Sequence, residues 1–300
     1  MRKRLTSLIL AAFFQLACFP AAAGGKLLEI VTDYEVFFRQ LVTDRDYPGA
    51  AFAIVRRDQI LHVSTMGHTS ADRKLPINAN TTFRMASVSK TFAAEVVGLL
   101  VEDGVLRWDD PVIQYVPDFK VNGDTSQIRI QHLLGQSTGL MPHAYDNLLE
   151  HGKSMDTIWR RMADLDFMCE PGRCYGYQNS VFSLVEPLVK KATTQPYEKL
   201  VEQRIFKPLE MKTASMGYEA FVNNPNHAKP HARRKGRWAT VSVQPNYYRA
   251  APAAGVNASI LDMGKWVQAQ LGSKPEVLSP AMVKNLHKPR VKTRREMYRK

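Results

Sequence analysis

Residues 82–104, TFRMASVSKTFAAEVVGLLVEDG, hold the passage that decides the fold. Phe92, Val96, Leu99 and Leu100 recur at helical spacing, so Ser87 to Asp103 reads as a helix with one apolar face that Gly104 is placed to end. Ser87 and Lys90 lie three residues apart at its start and face the same side, with Cβ atoms roughly 5–6 Å apart. A serine hydroxyl attacks poorly unless a base takes its proton, and a lysine of lowered pKa can be that base. The helix N-terminus adds partial positive charge and free N–H groups, which favour a neutral amine and a developing oxyanion. Ser-x-x-Lys is a weak signal by itself. Its placement, on an apolar-faced helix that follows a hairpin and a loop, gives it weight.

Upstream, Gly49 to Arg56 and Ile60 to Ser64 read as strands around the turn Arg57-Asp58-Gln59, followed by a polar loop from Ser70 to Thr82. Leu27 to Asp44 reads as an amphipathic helix. Downstream, helices are expected over Ser154 to Leu165, over Val181 to Lys191, which Pro187 should kink or end at its first turn, and over Tyr197 to Phe206 with Pro196 near its first position. Ser259 to Leu271 is the clearest helix, with Ser259 as cap, Asp262 three residues on and Gly272 closing it. There are no repeats and no low-complexity linker, so a strand-bearing portion with a helical insertion is expected rather than two separate domains.

The chain has 300 residues, 45% hydrophobic and 23% charged, enough for a sizeable core. Arg2, Lys3 and Arg4, the apolar run Leu5 to Leu16 and the small residues Ala21-Ala22-Ala23 read as an export signal over residues 1–23. Cys18 after Leu16-Ala17 offers lipoprotein anchoring as an alternative, although Gln15 stands where an apolar residue is wanted. No later segment is long and apolar enough to be a membrane helix, so the mature protein is expected to be periplasmic or secreted. Net charge is +13, or +10 once the three leader cations are removed. The basic runs Arg233-Arg234-Lys235-Gly236-Arg237 and Lys284 to Lys300 lack interleaved aromatics and read as solvated surface, not as a nucleic-acid groove. Beyond Cys18, Cys169 and Cys174 flank the turn Glu170-Pro171-Gly172-Arg173, and a disulfide is the favoured reading in an oxidising compartment; a metal site would need further ligands close by.

A second element follows that turn. Tyr177-Gln178-Asn179 opens the next helix; a phenol near a lysine can shuttle a proton, and an amide can bind a substrate carbonyl. With these residues the chain resembles the serine β-lactamase and penicillin-binding-protein superfamily, closest to its class C and esterase-like branch. The likeness runs from about Gly49 to Leu271 and includes residues 82–86, 99–112, 130–140, 204–211 and 253–263. It implies an α+β fold, with an antiparallel sheet flanked by helices and a mostly helical insertion over about 105–245, within one domain spanning 24–300. It makes Ser87 the acylated nucleophile, Lys90 its base or proton relay, Tyr177 the group that deprotonates Ser87 or protonates the leaving group, and Asn179 a substrate ligand. The division of labour between Lys90 and Tyr177 stays open. The implied enzyme needs neither metal nor organic cofactor, and acts on β-lactams, D-Ala-D-Ala-type peptides or small esters.

The third motif of that family, Lys-Thr-Gly or His-x-Gly on a late strand, finds no match. Lys292-Thr293-Arg294 has an arginine where a small residue is wanted and shows no strand pattern. The expectation is therefore a chain incomplete at its C-terminus, without the closing strands, and the alternative is a non-catalytic or truncated penicillin-binding-like envelope protein. Two other patterns compete. Gly135-Gln136-Ser137-Thr138-Gly139 fits the nucleophile elbow of α/β-hydrolases, with Asp262 and His287 following in order, but Ile130 to Leu134 reads as a short helix where a buried strand is needed. His227 and His231 have metal-like spacing, yet Pro225 and Pro230 disfavour a helix, so a surface loop is expected.

Overall fold

The computed structural model describes residues 21–293. The expected leader lies outside them up to Pro20, as does Arg294 to Lys300. Helix α1 (Ala21–Asp44) leads into strands β1 (Gly49–Val55) and β2 (Ile60–Gly67), which pair antiparallel from Gly49 opposite Gly67 to Val55 opposite Ile60. β-branched and aromatic side chains favour this pleated pair, and the turn closes with the Arg56 amide donating to the Gln59 carbonyl at 2.9 Å. α1 lies against the hairpin: Phe38 and Val42 are buried, the Phe38 and Phe52 rings are 4.7 Å apart, and Glu35 accepts from Ser64 at 2.9 Å.

Strand β3 (Thr82–Arg84), a 3-10 turn over Ala86–Val88 and helix α2 (Ser89–Glu102) follow. Phe92, Ala93, Val96, Val97 and Leu100 of α2 are all buried, and each of these side chains larger than alanine stabilises by about 1.5–3 kcal/mol. α2 is thus the core helix around which the rest packs. It ends as expected, with Gly104 at φ +73°, a left-handed conformation glycine adopts without a Cβ clash.

The next helices are α3 (Ile130–Leu134), α4 (Asp146–Glu150), α5 (Met155–Arg161), α6 (Val185–Thr193) and α7 (Tyr197–Val201), the last continuing as a π turn over Glu202–Phe206. Ser154 caps α5 by accepting from the Thr157 amide, and Pro187 sits in the first turn of α6, where its missing N–H costs nothing. Then come β4 (Ser215–Met216), α8 (Tyr218–Val222), β5 (His231–Arg234), β6 (Arg237–Thr240), α9 (Ala251–Ala254), β7 (Val256–Ser259), α10 (Ile260–Gln270) and α11 (Pro280–Leu286). The fold is α+β, with antiparallel pairing between all named strands in three small sheets: β1-β2, β3-β7-β4 and β5-β6. α10 packs on β1 and α11 on α2.

One expectation needs correction and the basic runs gain detail. Residues 233–237 are exposed, as expected, and form the tip of the β5–β6 hairpin, where Lys235 at φ 51° and Gly236 at φ 79° provide the two left-handed residues a tight turn requires. His231 opens β5, so only His227 of the two histidines lies in a loop. The basic stretch from Lys284 begins inside α11, whose Met282 is buried against α2 at Gly98; a Cβ there would meet Met282 Sδ at 2.7 Å. Among the described residues, no helix is long and apolar enough to cross a membrane.

Candidate active site

The β3–α2 passage sets the first two side chains. β3 pairs with the buried β7, Arg84 opposite Asn257, and the Met85 amide donates to the Val256 carbonyl at 2.9 Å. Ala86 then takes φ 45°, a conformation that costs a non-glycine residue about 1 kcal/mol and turns the chain sharply into the 3-10 turn. Buried Ser89 locks the helix start to β7 by accepting from the Val256 amide at 3.0 Å. Ser87 is left exposed at the rim, and Lys90 half-buried below it.

The second pair arrives on the segment after Cys169 and Cys174, which are joined by a disulfide with Cα atoms 6.3 Å apart. Gln136 holds this segment in place: its carbonyl accepts from the Gly176 amide at 2.8 Å, and its side chain exchanges two hydrogen bonds with the Gln178 backbone at 2.7 and 3.1 Å. Gly176 passes close under Leu140, whose carbonyl oxygen a Cβ would meet at 2.6 Å. Tyr177 and Asn179 thereby face Lys90.

The four side chains meet. Ser87 Oγ and Tyr177 OH are 2.5 Å apart, and the Lys90 ammonium lies 3.3 Å from Ser87 Oγ, 2.8 Å from Tyr177 OH and 2.8 Å from Asn179 Oδ1. It also donates to the Ala253 carbonyl at 3.2 Å and lies 4.7 Å from the centre of the Tyr177 ring. Burial pushes Lys90 down to about 8, against the opposing pull of the Asp146 carboxylate. An amine poised there exchanges a proton near neutrality, and the phenol and hydroxyl beside it are suitable partners.

Sequence reasoning missed the layer behind. Asn179 Nδ2 donates to Asp146 Oδ2 at 2.9 Å, which fixes the amide with its oxygen toward Lys90. His143 Nδ1 lies 2.8 Å from the same carboxylate oxygen, and the His143 amide donates to the Tyr177 carbonyl at 2.8 Å. His143 and Tyr145 both have left-handed backbones, φ 57° and 58°, so no periodic pattern marks this loop. The Ala253 carbonyl is a backbone group that no motif could reveal.

The rival patterns do not assemble. Ser137 is buried, follows helix α3 rather than a strand, and its carbonyl accepts from the Gly172 amide; its loop serves as the scaffold for Tyr177. Asp262 is engaged with Ser259 and Thr213, and His287 caps α11. Lys292 and Thr293 carry no strand, and Arg294 lies outside the described residues. No group of three or more His, Cys, Asp or Glu side chains among the described residues is placed to hold a metal ion.

A sequence model of the Beta-lactamase family matches residues 35–296. The chain belongs to that family. Protein flp of Staphylococcus aureus strain MRSA252 is 26% identical to this chain over 248 residues, covering 80% of this chain and 48% of that protein. A protein named Beta-lactamase in Escherichia coli K12 is 27% identical over 232 residues, covering 77% of this chain and 58% of its own length. The chain thus spans about half the length of the first of these relatives. Among solved structures, an octameric penicillin-binding protein homologue from Pyrococcus abyssi superposes with TM-score 0.73 at 22% identity, over 85% of this chain and 59% of that one. EstCE1, described as a hydrolase with promiscuous acyltransferase activity, superposes with TM-score 0.69 at 19% identity, over 81% and 73%. Both share the Beta-lactamase fold with this chain.

Proposed function

We propose that the protein is a serine hydrolase that forms an acyl-enzyme at Ser87, exported to the periplasm or beyond. The observation that carries this reading is the closed triangle of Ser87 Oγ, Tyr177 OH and Lys90 Nζ, at 2.5, 2.8 and 3.3 Å. In this reading Ser87 Oγ attacks a carbonyl carbon while its proton passes to the Tyr177–Lys90 pair. The C–N or C–O bond of the substrate then breaks, and the same pair returns the proton to the departing nitrogen or oxygen. Water repeats the attack on the acyl-serine, releasing the acid and restoring the hydroxyl. Asn179, held by Asp146, supports the Lys90 amine and offers its amide edge to the substrate. The substrate classes are β-lactams, D-Ala-D-Ala-type peptides and small esters; a disulfide suits the oxidising compartment in which cell-wall peptides occur.

The test is covalent labelling of the full chain by a fluorescent penicillin and by an activated acetate ester, read by mass. We expect one acyl group on the parent protein with at least one probe and none on Ser87→Ala. Failure of both probes, or equal labelling of Ser87→Ala, overturns the reading in favour of a non-catalytic role.

A further inference from the structure

The strand that delivers Ser87 ends on a cation with no anion. Arg84 is half-buried, its Nε is enclosed without an acceptor, and among the described residues no carboxylate lies within ion-pair distance of it. Its guanidinium lies over aromatic faces, 4.4 Å from the centre of the Tyr248 ring and 6.0 Å from that of Tyr247. Other arginines of this chain behave differently: the exposed Arg56 and Arg160 and the half-buried Arg204 each reach an aspartate. Enclosing a cation without a partner is costly, whereas pairing an exposed one gains little.

Arg84 stands in the wall of a cavity of about 540 Å³, a size that suits a small organic ligand. Lys229, His68, His231, Ser242 and Gln244 add to its polar lining, Phe83 and Trp238 to its apolar lining, and no aspartate or glutamate contributes. The basic β5–β6 hairpin closes one side, bringing His231 and Trp238 from paired strands. Burial holds the His231 imidazole toward its neutral form, able to exchange a hydrogen bond without adding charge.

We propose that this cavity binds an organic carboxylate with an apolar body, its carboxylate on the Arg84 fork and beside Lys229, its apolar part against Phe83 and Trp238. Arginine suits this because its planar donors match two carboxylate oxygens at once. The site goes beyond the acyl-enzyme reading and does not depend on it, since neither Ser87 nor Lys90 lines the cavity.

Calorimetric titration of the full chain with 4-phenylbutyrate, and with the uncharged 4-phenylbutanol, tests it. The acid is expected to bind one-to-one and at least tenfold tighter than the alcohol. Arg84→Gln should remove most of that preference, and Lys229→Ala, a change at an exposed side chain, should weaken the acid by about threefold. Trp238→Leu should weaken both probes. Equal binding of acid and alcohol, no saturation by the acid at millimolar concentration, or parent affinity in Lys229→Ala when Arg84→Gln does not fold, overturns the proposal. Ser87→Ala should bind as the parent does, so failure here is distinguishable from failure of the acyl-enzyme reading.

Discussion

Lys90 and Glu95 both lie on α2, one near its start and one in its middle, and burial brings both to a pKa of about 8, from 10.5 and from 4.5. Their surroundings separate them. Lys90 opens toward the rim and touches two hydroxyls, those of Ser87 and Tyr177, which can take or give a proton. Glu95 is enclosed, with Trp266 Nε1 donating at 2.8 Å and Gln270 donating to the same oxygen, and its other oxygen has no partner. Those donors keep their hydrogens, so a proton on Glu95 stays there as part of the core. A displaced pKa marks a site only where the neighbours can exchange protons with it.

The largest expected effect breaks the comparison at Lys90. Lys90→Ala should slow acylation of an activated ester by about 10²- to 10⁴-fold, the usual worth of a positioned proton-transfer group. Its thermal midpoint should hold or rise, because an enclosed cation is removed. A rate within threefold of the parent would mean that Tyr177 acts without it.

Glu95 should show the converse: a stability effect without a kinetic one. Its acid pKa is raised on folding, so the folded state keeps a proton that the unfolded chain loses above 4.5, and stability falls as pH rises from there toward 8. Lys90 has the opposite sign in a different window, gaining stability between about 8 and 10.5. Glu95→Gln keeps an acceptor for Trp266 and Gln270 but has no proton to lose. Between pH 5.5 and 7.5 the parent should lose on the order of 2–3 kcal/mol more than this variant in urea unfolding. Parallel pH slopes for the two proteins would show that Glu95 ionises without cost.

Asp146→Asn sharpens the picture of Lys90 itself. The carboxylate raises the Lys90 pKa and orients Asn179, so its loss should move the ascending limb of the acylation pH profile to lower pH, by up to about one unit. An unmoved limb would leave Asp146 as packing alone.

Much of this was legible in the order of residues, and the remainder for physical reasons was not. Ser87, Lys90, Tyr177 and Asn179 could be singled out because two short spacings, each weak alone, together resemble a family pattern, and the structure brings all four side chains together. His143 and Asp146 come from an aperiodic loop whose left-handed turns have no residue signature, so only the folded chain shows them behind Asn179. β3 and β7 escaped because strands of three and four residues are too short to show an alternation, and β7 is buried at every position. The β5–β6 hairpin did carry a signal in Lys235-Gly236, masked by the charge of its neighbours.

The most readable element of all, α10, supports the smallest prediction. Ser259 caps it as the sequence suggests: its Oγ accepts from the Asp262 amide at 3.2 Å and donates to Asp262 Oδ2 at 3.1 Å, while the Ser259 amide donates back to that oxygen at 3.3 Å. Ser259→Ala removes the first two bonds but leaves Asp262 its contacts with the Ser259 amide and with Thr213. The expected loss is about 1 kcal/mol, a fall of about 1.5–2 °C in Tm for a chain of this size. Ser259 also sits opposite Thr82 at the far end of the β3–β7 pair from Arg84, so acylation at Ser87 should stay within twofold of the parent. A Tm drop with unchanged acylation places α10 in the support of the sheet. A matching fall in acylation would instead show that β7 transmits the state of this cap to Ser87.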